Sequence, residues 1–193
     1  MYKMLRALVL LPVILLASCA HTIVISPKMD ALPAANKTKI NKNVGYYISN
    51  IDMGKKVQTP GGGDSRIEFM PYRDLESLFY TALANEYKGV YKLDAADNAS
   101  EIKSKNISYV FVPKINTKSF SKAPTWQPTD FFVSFSTKIY DPNGKLVWHI
   151  LARGWGHAKL EEIQKNPQVS AQRASEGVFI NLQDNIRAAV SIH

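Results

Sequence analysis

The sequence predicts an α+β protein: a two-layer sandwich with a mostly antiparallel sheet and two amphipathic helices packed on one face. Three observations lead there. Over 72–87, Leu75, Leu78, Phe79, Ala82, Leu83 and Tyr87 recur at three- and four-residue spacing, with Arg73, Glu76 and Asn85 elsewhere. The same period returns over 169–190, where Ala171, Ala174, Val178, Leu182, Ile186 and Ala189 form one stripe and Gln172, Arg173, Glu176, Asp184 and Arg187 stay polar. Between them, 131–140 alternates Phe131, Val133, Phe135 and Ile139 against Ser134, Ser136 and Lys138, the period of a half-buried strand.

In chain order, the first element is a leader. Lys3 and Arg6 precede an apolar run from Leu8 to Leu16, and Ala17 and Ser18 lead into Cys19, the only cysteine. A cationic start, a short apolar stretch and a small-residue cleavage site describe a secretory signal peptide over 1–18. The run is too short to span a bilayer, which takes about 20 residues. Leu16-Ala17-Ser18-Cys19 resembles the bacterial lipobox. That resemblance implies cleavage before Cys19, a diacylglycerol on its thiol and often an acylated amino terminus. Several acyl chains at about 0.8 kcal/mol per buried methylene give a stable anchor. In enterobacterial lipoproteins an aspartate after the cysteine retains the protein at the inner membrane, so the resemblance, with Ala20 there instead, implies the outer membrane, with the domain on its periplasmic side.

Cleavage leaves 175 of 193 residues, enough for one domain with a core, and losing Lys3 and Arg6 lowers the formal net charge from +8 to +6. In that compartment the anionic partners are lipid head groups and acidic glycans, so no nucleic acid is expected. The lysines are scattered from Lys37 to Lys122, as on a solvated surface; gathered on one face they would favour a membrane or a glycan.

Residues 19–42 read as the lipidated cysteine and a flexible tether, with Pro27 and Pro33 against packed structure. Its apolar patch, Ile23-Val24-Ile25, suits either a short strand or a position near the head groups. The single domain is predicted over 43–193. Val44 to Ile48 is rich in strand formers, and 52–66 is a polar excursion. Gly61-Gly62-Gly63 lacks the Gly-Lys-Ser/Thr of a phosphate loop and reads as surface loop. Gly89 is placed as the stop of the first helix, followed by a strand at Val90 to Leu93 and a helical turn near Ala99 to Lys103. Ile107 to Val112 is a strand. Asp141-Pro142-Asn143-Gly144 is a strong turn that joins 131–140 to a returning strand from Lys145 to Ala152. Ser170 is the expected N-cap of the last helix.

The lipobox, Thr22 to Pro27, and Tyr72-Arg73-Asp74-Leu75 opening the first helix resemble the YajG-type family of small outer-membrane lipoproteins. The Asp141 to Trp148 hairpin before a terminal helix also resembles the wider group sharing the fold of the TolB amino-terminal domain. That group includes ring-forming lipoproteins of export systems and an activator of a peptidoglycan synthase. The resemblance implies a binding or assembly role and leaves the partner open.

Catalytic machinery is not visible, and neither enzyme activity nor a cofactor is expected. His21 adjoins the anchor and His193 ends the chain. His149 and His157 lie eight apart with no metal-ligand spacing, and no Gly-x-Ser-x-Gly elbow occurs. Glu161 and Glu162 read as solvated charge. The candidate contact residues are aromatic. Trp155 lies between Gly154 and Gly156, which suit a bulge or close backbone approach, and Trp126 lies in a Pro-flanked connector. For Trp155 the plainer alternative, packing beneath the helix, is favoured. The expected partners are the membrane through acylated Cys19 and either an envelope protein or further copies of the chain. The alternatives are a lipid- or glycan-binding periplasmic domain and a ring-forming accessory lipoprotein of an export system.

Overall fold

The computed structural model describes residues 21–35, 38–59, 66–121 and 128–190. Cys19, Trp126 and the 61–63 glycine run lie outside them. The architecture is the expected α+β class, with two mixed sheets.

The larger sheet has the order β5-β2-β6-β7-β8, from β2 (Ile40–Tyr46), β5 (Tyr87–Lys92), β6 (Ile107–Phe120), β7 (Asp130–Tyr140) and β8 (Leu146–His157). β2 runs parallel to both β5 and β6, while β6, β7 and β8 form a long antiparallel meander. The sheet is therefore mixed, more so than the sequence implied. β6 and β8 both outrun their expected ends, because each finds a full-length partner in β7. At the β7–β8 turn Gly144 has φ +80°, and Asp141 Oδ1 accepts from the Asn143 and Lys145 backbone amides at 2.9 Å.

Two helices cover one face, α2 (Pro71–Glu86) and α5 (Val169–Val190). Both predicted stripes are buried. Phe79 stacks on Phe135 at 5.7 Å, and Phe69 meets Phe131 edge-on at 5.3 Å. Two punctuation residues act otherwise than expected. Gly89 does not stop α2: the chain passes straight into β5 at Tyr87, and a side chain at 89 would strike Asn43. Ser170 does not cap α5: it lies buried inside the first turn, and its hydroxyl donates to the Pro128 carbonyl at 3.4 Å.

The tether expectation fails over 21–27. β1 (His21–Thr22) pairs in parallel with β4 (Ile67–Phe69), which pairs antiparallel with β3 (Val57–Gln58) in a three-stranded sheet. The 52–66 excursion thus belongs partly to a hairpin, preceded by α1 (Asn50–Met53) with Ser49 as its cap. The Ile23 amide continues the pairing onto Glu68, and Ile23 and Ile25 are only 5% and 0% exposed. The Ile25 amide donates to Asp74 at 3.4 Å, and its carbonyl accepts from Ser175 at 2.7 Å. The prolines that argued against regular structure do not oppose docking, since alternate isoleucines still face the core.

Two short helices complete the chain. α3 (Ala99–Ser104) lies against the opposite sheet face, where Ile102 and Val110 join a small second core with Leu93 and Ile107. α4 (Leu160–Lys165) precedes α5, and Glu162 is drawn into a paired carboxylate–guanidinium contact with Arg173 at 2.7 and 3.2 Å.

Candidate functional site: the open face of the large sheet

The helix-covered face cannot be the site, because its side chains are spent on the core. Among the described residues, α3 covers the other face only near Val110. Register fixes what lies on the remainder. Across the meander, Phe120, Asp130 and His157 form one row; Lys118, Phe132 and Trp155 the next; Asn116, Ser134 and Arg153 the third. Alternation puts all nine on the same side. Phe120, Phe132 and Trp155 are 54%, 41% and 56% exposed. Phe120 and Phe132 meet edge-on at 5.8 Å, and Phe132 lies 6.4 Å from Trp155. Isolated exposed apolar residues are ordinary; a contiguous aromatic group is not.

Trp155 faces outward because its neighbours cannot afford a side chain. A Cβ on Gly154 would lie 1.9 Å from the Ala174 carbonyl oxygen, and one on Gly156 would lie 2.0 Å from that of Ser170. The two glycines face α5 and let its backbone rest on the strand. The intervening indole therefore points to solvent, and the favoured expectation that it packs beneath the helix is overturned. The predicted close backbone approach is present, on the face opposite the indole.

Hydrogen bonds hold the rim of the cluster. His157 Nδ1 lies 2.9 Å from Asp130 Oδ1, and the Thr129 hydroxyl donates to the other oxygen at 2.8 Å. The imidazole stacks on Trp155 at 6.2 Å and 24°. Burial raises the Asp130 carboxyl, but hydrogen bonds from Thr129 and His157, the His157 charge and a bond from Trp155 outweigh it and hold the group below its ordinary value. Arg173 donates to the His157 carbonyl at 2.7 Å, which ties this corner to α5.

Cations flank the aromatics. Lys114, Lys118, Lys138 and Arg153 project from the same face, so part of the scattered lysine set does converge. An open groove of about 330 Å³ runs between Lys118, Phe120, Phe132 and Arg153, floored by Ser134 and Asn116. Beyond Phe120 a second hollow of about 250 Å³ is closed by Val57, Gln58 and Phe69 of the small sheet. Aromatic faces beside cations are side chains of the kind that gather at contact surfaces.

Further along the face, the Ser136 hydroxyl lies 2.8 Å from His149 Nε2. Among the described residues no carboxylate pairs with the other imidazole nitrogen. Among the described residues no cluster of three or more metal-ligating side chains occurs, and no helix is long and apolar enough to cross a membrane.

Of the sequence-predicted site residues, Trp155 lies within the open-face cluster, while Cys19 and Trp126 fall outside the described residues. Sequence reasoning missed Phe120, Phe132, Lys118 and Arg153. One signal was readable: Phe132 breaks the alternation by standing between Phe131 and Val133 on the polar side.

No protein-family model and no curated protein matches the chain. Among solved structures, it is similar to a PelC dodecamer from Paraburkholderia phytofirmans, at 14% identity over 74% of this chain and 94% of that one, with a TM-score of 0.40. It is similar to a DUF330 protein from Xanthomonas campestris, at 9% identity over 90% and 96%, TM-score 0.45. A third is a minor lipoprotein from Acinetobacter baumannii, at 11% identity over 78% and 94%, TM-score 0.39. None of these likenesses carries a function to this chain.

Proposed function

We propose that the chain is a lipid-anchored, non-catalytic protein of the bacterial outer membrane that works as a binding or assembly factor on the periplasmic side. Acylated Cys19 sets its location, and the open face of the large sheet is its contact surface. The observation that carries this reading is the exposed Phe120, Phe132 and Trp155 cluster beside Lys118 and Arg153. Aromatics and arginine are the side chains that concentrate binding energy at contact surfaces. The leader and lipobox-like run support the location.

The test has two parts. Radiolabelled palmitate is expected on the wild type and absent from a Cys19→Ser variant, which should leave the membrane fraction or remain unprocessed. A photo-crosslinking residue placed in cells at position 155, or at the exposed Leu151 on the same face of β8, is expected to trap adducts that the same residue at the exposed turn position 143 does not. Equal yields from 143 would remove the open face from the proposal.

A further inference from the structure

Taking the acylation of Cys19 from the proposal above, we infer that the aromatic end of the open face rests on the anionic head-group layer of the membrane that holds the anchor. Chain length makes the first part of the case. The His21 amide already donates to the Arg66 carbonyl at 2.9 Å, and Ile23 and Ile25 are locked in the core. Only two residue steps separate Cys19 from this fixed point, and they reach at most about 7 Å. The domain therefore has no leash. Its β1 end is held at the bilayer, within about one Debye length of the surface charge.

Topology says which surface lies near that end. β1 is the first strand of the three-stranded sheet β1-β4-β3, so β3 stands two strand spacings away, about 10 Å. Val57 and Gln58 of β3, with Phe69 of β4, close the hollow whose other wall is 117–120 of β6. Phe120 opens the aromatic row that continues through Phe132 to Trp155. The patch thus begins beside the small sheet that receives the anchor.

Chemistry supplies the rest. Tryptophan and other aromatics favour the zone between acyl chains and water, where an amphipathic ring meets both. Lys114, Lys118 and Arg153 add positive charge, and the one carboxylate in the three rows, Asp130, is engaged by Thr129 and His157. Because the anchor already holds the domain at high effective concentration, weak contacts suffice to orient it. A groove floored by Ser134 and Asn116 could instead take an acidic glycan or a protein; the short connection to Cys19 is what favours the bilayer.

The experiment uses full-length acylated protein, purified from membranes with Trp126→Phe and Trp148→Phe so that Trp155 alone fluoresces. It is reconstituted into vesicles of phosphatidylethanolamine and phosphatidylglycerol with brominated acyl chains. Trp155 is expected to be quenched. The quenching should weaken in the unaltered fold as salt rises, and a Lys118→Glu or Arg153→Glu change should lower the docked-to-undocked ratio by at least about fivefold, the worth of one lost cation. Protein that floats with the vesicles while Trp155 stays unquenched overturns the inference and leaves the anchor intact. Protein that lacks acyl mass and fails to float overturns the anchor reading itself. Shielding of Trp155 that appears only on adding an acidic polysaccharide, or a position-155 crosslink in cells that goes to protein and not lipid, assigns the face to another occupant and overturns it as well.

Discussion

The contact between β8 and α5 makes a sharp prediction about two glycines that touch each other. Gly154→Ala adds a methyl group 1.9 Å from the Ala174 carbonyl oxygen and 2.4 Å from the Val178 amide nitrogen. Both are helix backbone, so no side chain can rotate away. Restoring an ordinary 3.4 Å separation requires α5 to move out by about 1.5 Å, loosening Ala171, Ala174 and Val178 over the sheet. Overpacking of this kind costs about 1–3 kcal/mol, and a backbone–backbone clash belongs at the upper end. Alanine's better strand entropy returns about 0.5–1 kcal/mol, leaving a net loss of about 2–2.5 kcal/mol. Gly177, on the facing helix, sits 3.5 Å from Gly154 Cα through its added Cβ, an ordinary contact. Gly177→Ala should therefore stabilise by about 0.5–1 kcal/mol, the usual gain in a helix interior. The assay is thermal and urea unfolding of both variants. Gly154→Ala should lower Tm by about 4–10 °C and Gly177→Ala should raise it by about 1–4 °C. Two variants within about 0.5 kcal/mol of wild type would refute the close-packed helix and, with it, the reason Trp155 faces solvent.

Four further outcomes follow from other contacts. Ile25→Ala should cost about 2–5 kcal/mol in urea unfolding, because Ile25 is fully buried; a change under about 0.5 kcal/mol would return 21–27 to a tether. Asp74 accepts from the Ile25 and Met70 amides, so Asp74→Ala should destabilise by about 1–3 kcal/mol, while Asp74→Asn, which keeps an acceptor and removes a buried charge, should cost less. Thr137 is fully buried and its hydroxyl has no partner among the described residues; Thr137→Val should stabilise by about 1 kcal/mol, measured as a raised urea midpoint with unchanged slope. Hydrogen bonds from Arg173 and the Lys159 amide, outweighing burial, hold Glu162 down to about 2. Its folded value lies below the unfolded one, so its stabilising share is present above the ordinary 4.5 and fades as pH falls toward 2. A carboxyl NMR titration should place it there and return it upward in Arg173→Gln.

Elements whose local period matched their final environment were legible. α2 and α5 announce themselves because each lays a single apolar stripe on the sheet, and the β7–β8 hairpin because Asn143-Gly144 accepts the positive φ its turn requires. The parallel partners of β2 were not legible, since pairing across an intervening helix leaves no trace in spacing. β1, β3 and β4 are two or three residues long, too short for a period to register. The open-face site was half visible. Gly154-Trp155-Gly156 drew attention to the indole, but the partners of Trp155 come from strands 23 and 35 residues away in sequence and meet only through register.

The sequence alone determined the α+β class and the two helix faces, because each is written in neighbouring residues, and the proposed leader and acylation site at Cys19 rest on the sequence alone. Only the tertiary structure decided that Ile23 and Ile25 are core and that Trp155 is exposed. Both depend on which backbone arrives opposite: α5 reaches Gly154 and Gly156 from more than a dozen residues away, and so decides which face the tryptophan between them must take.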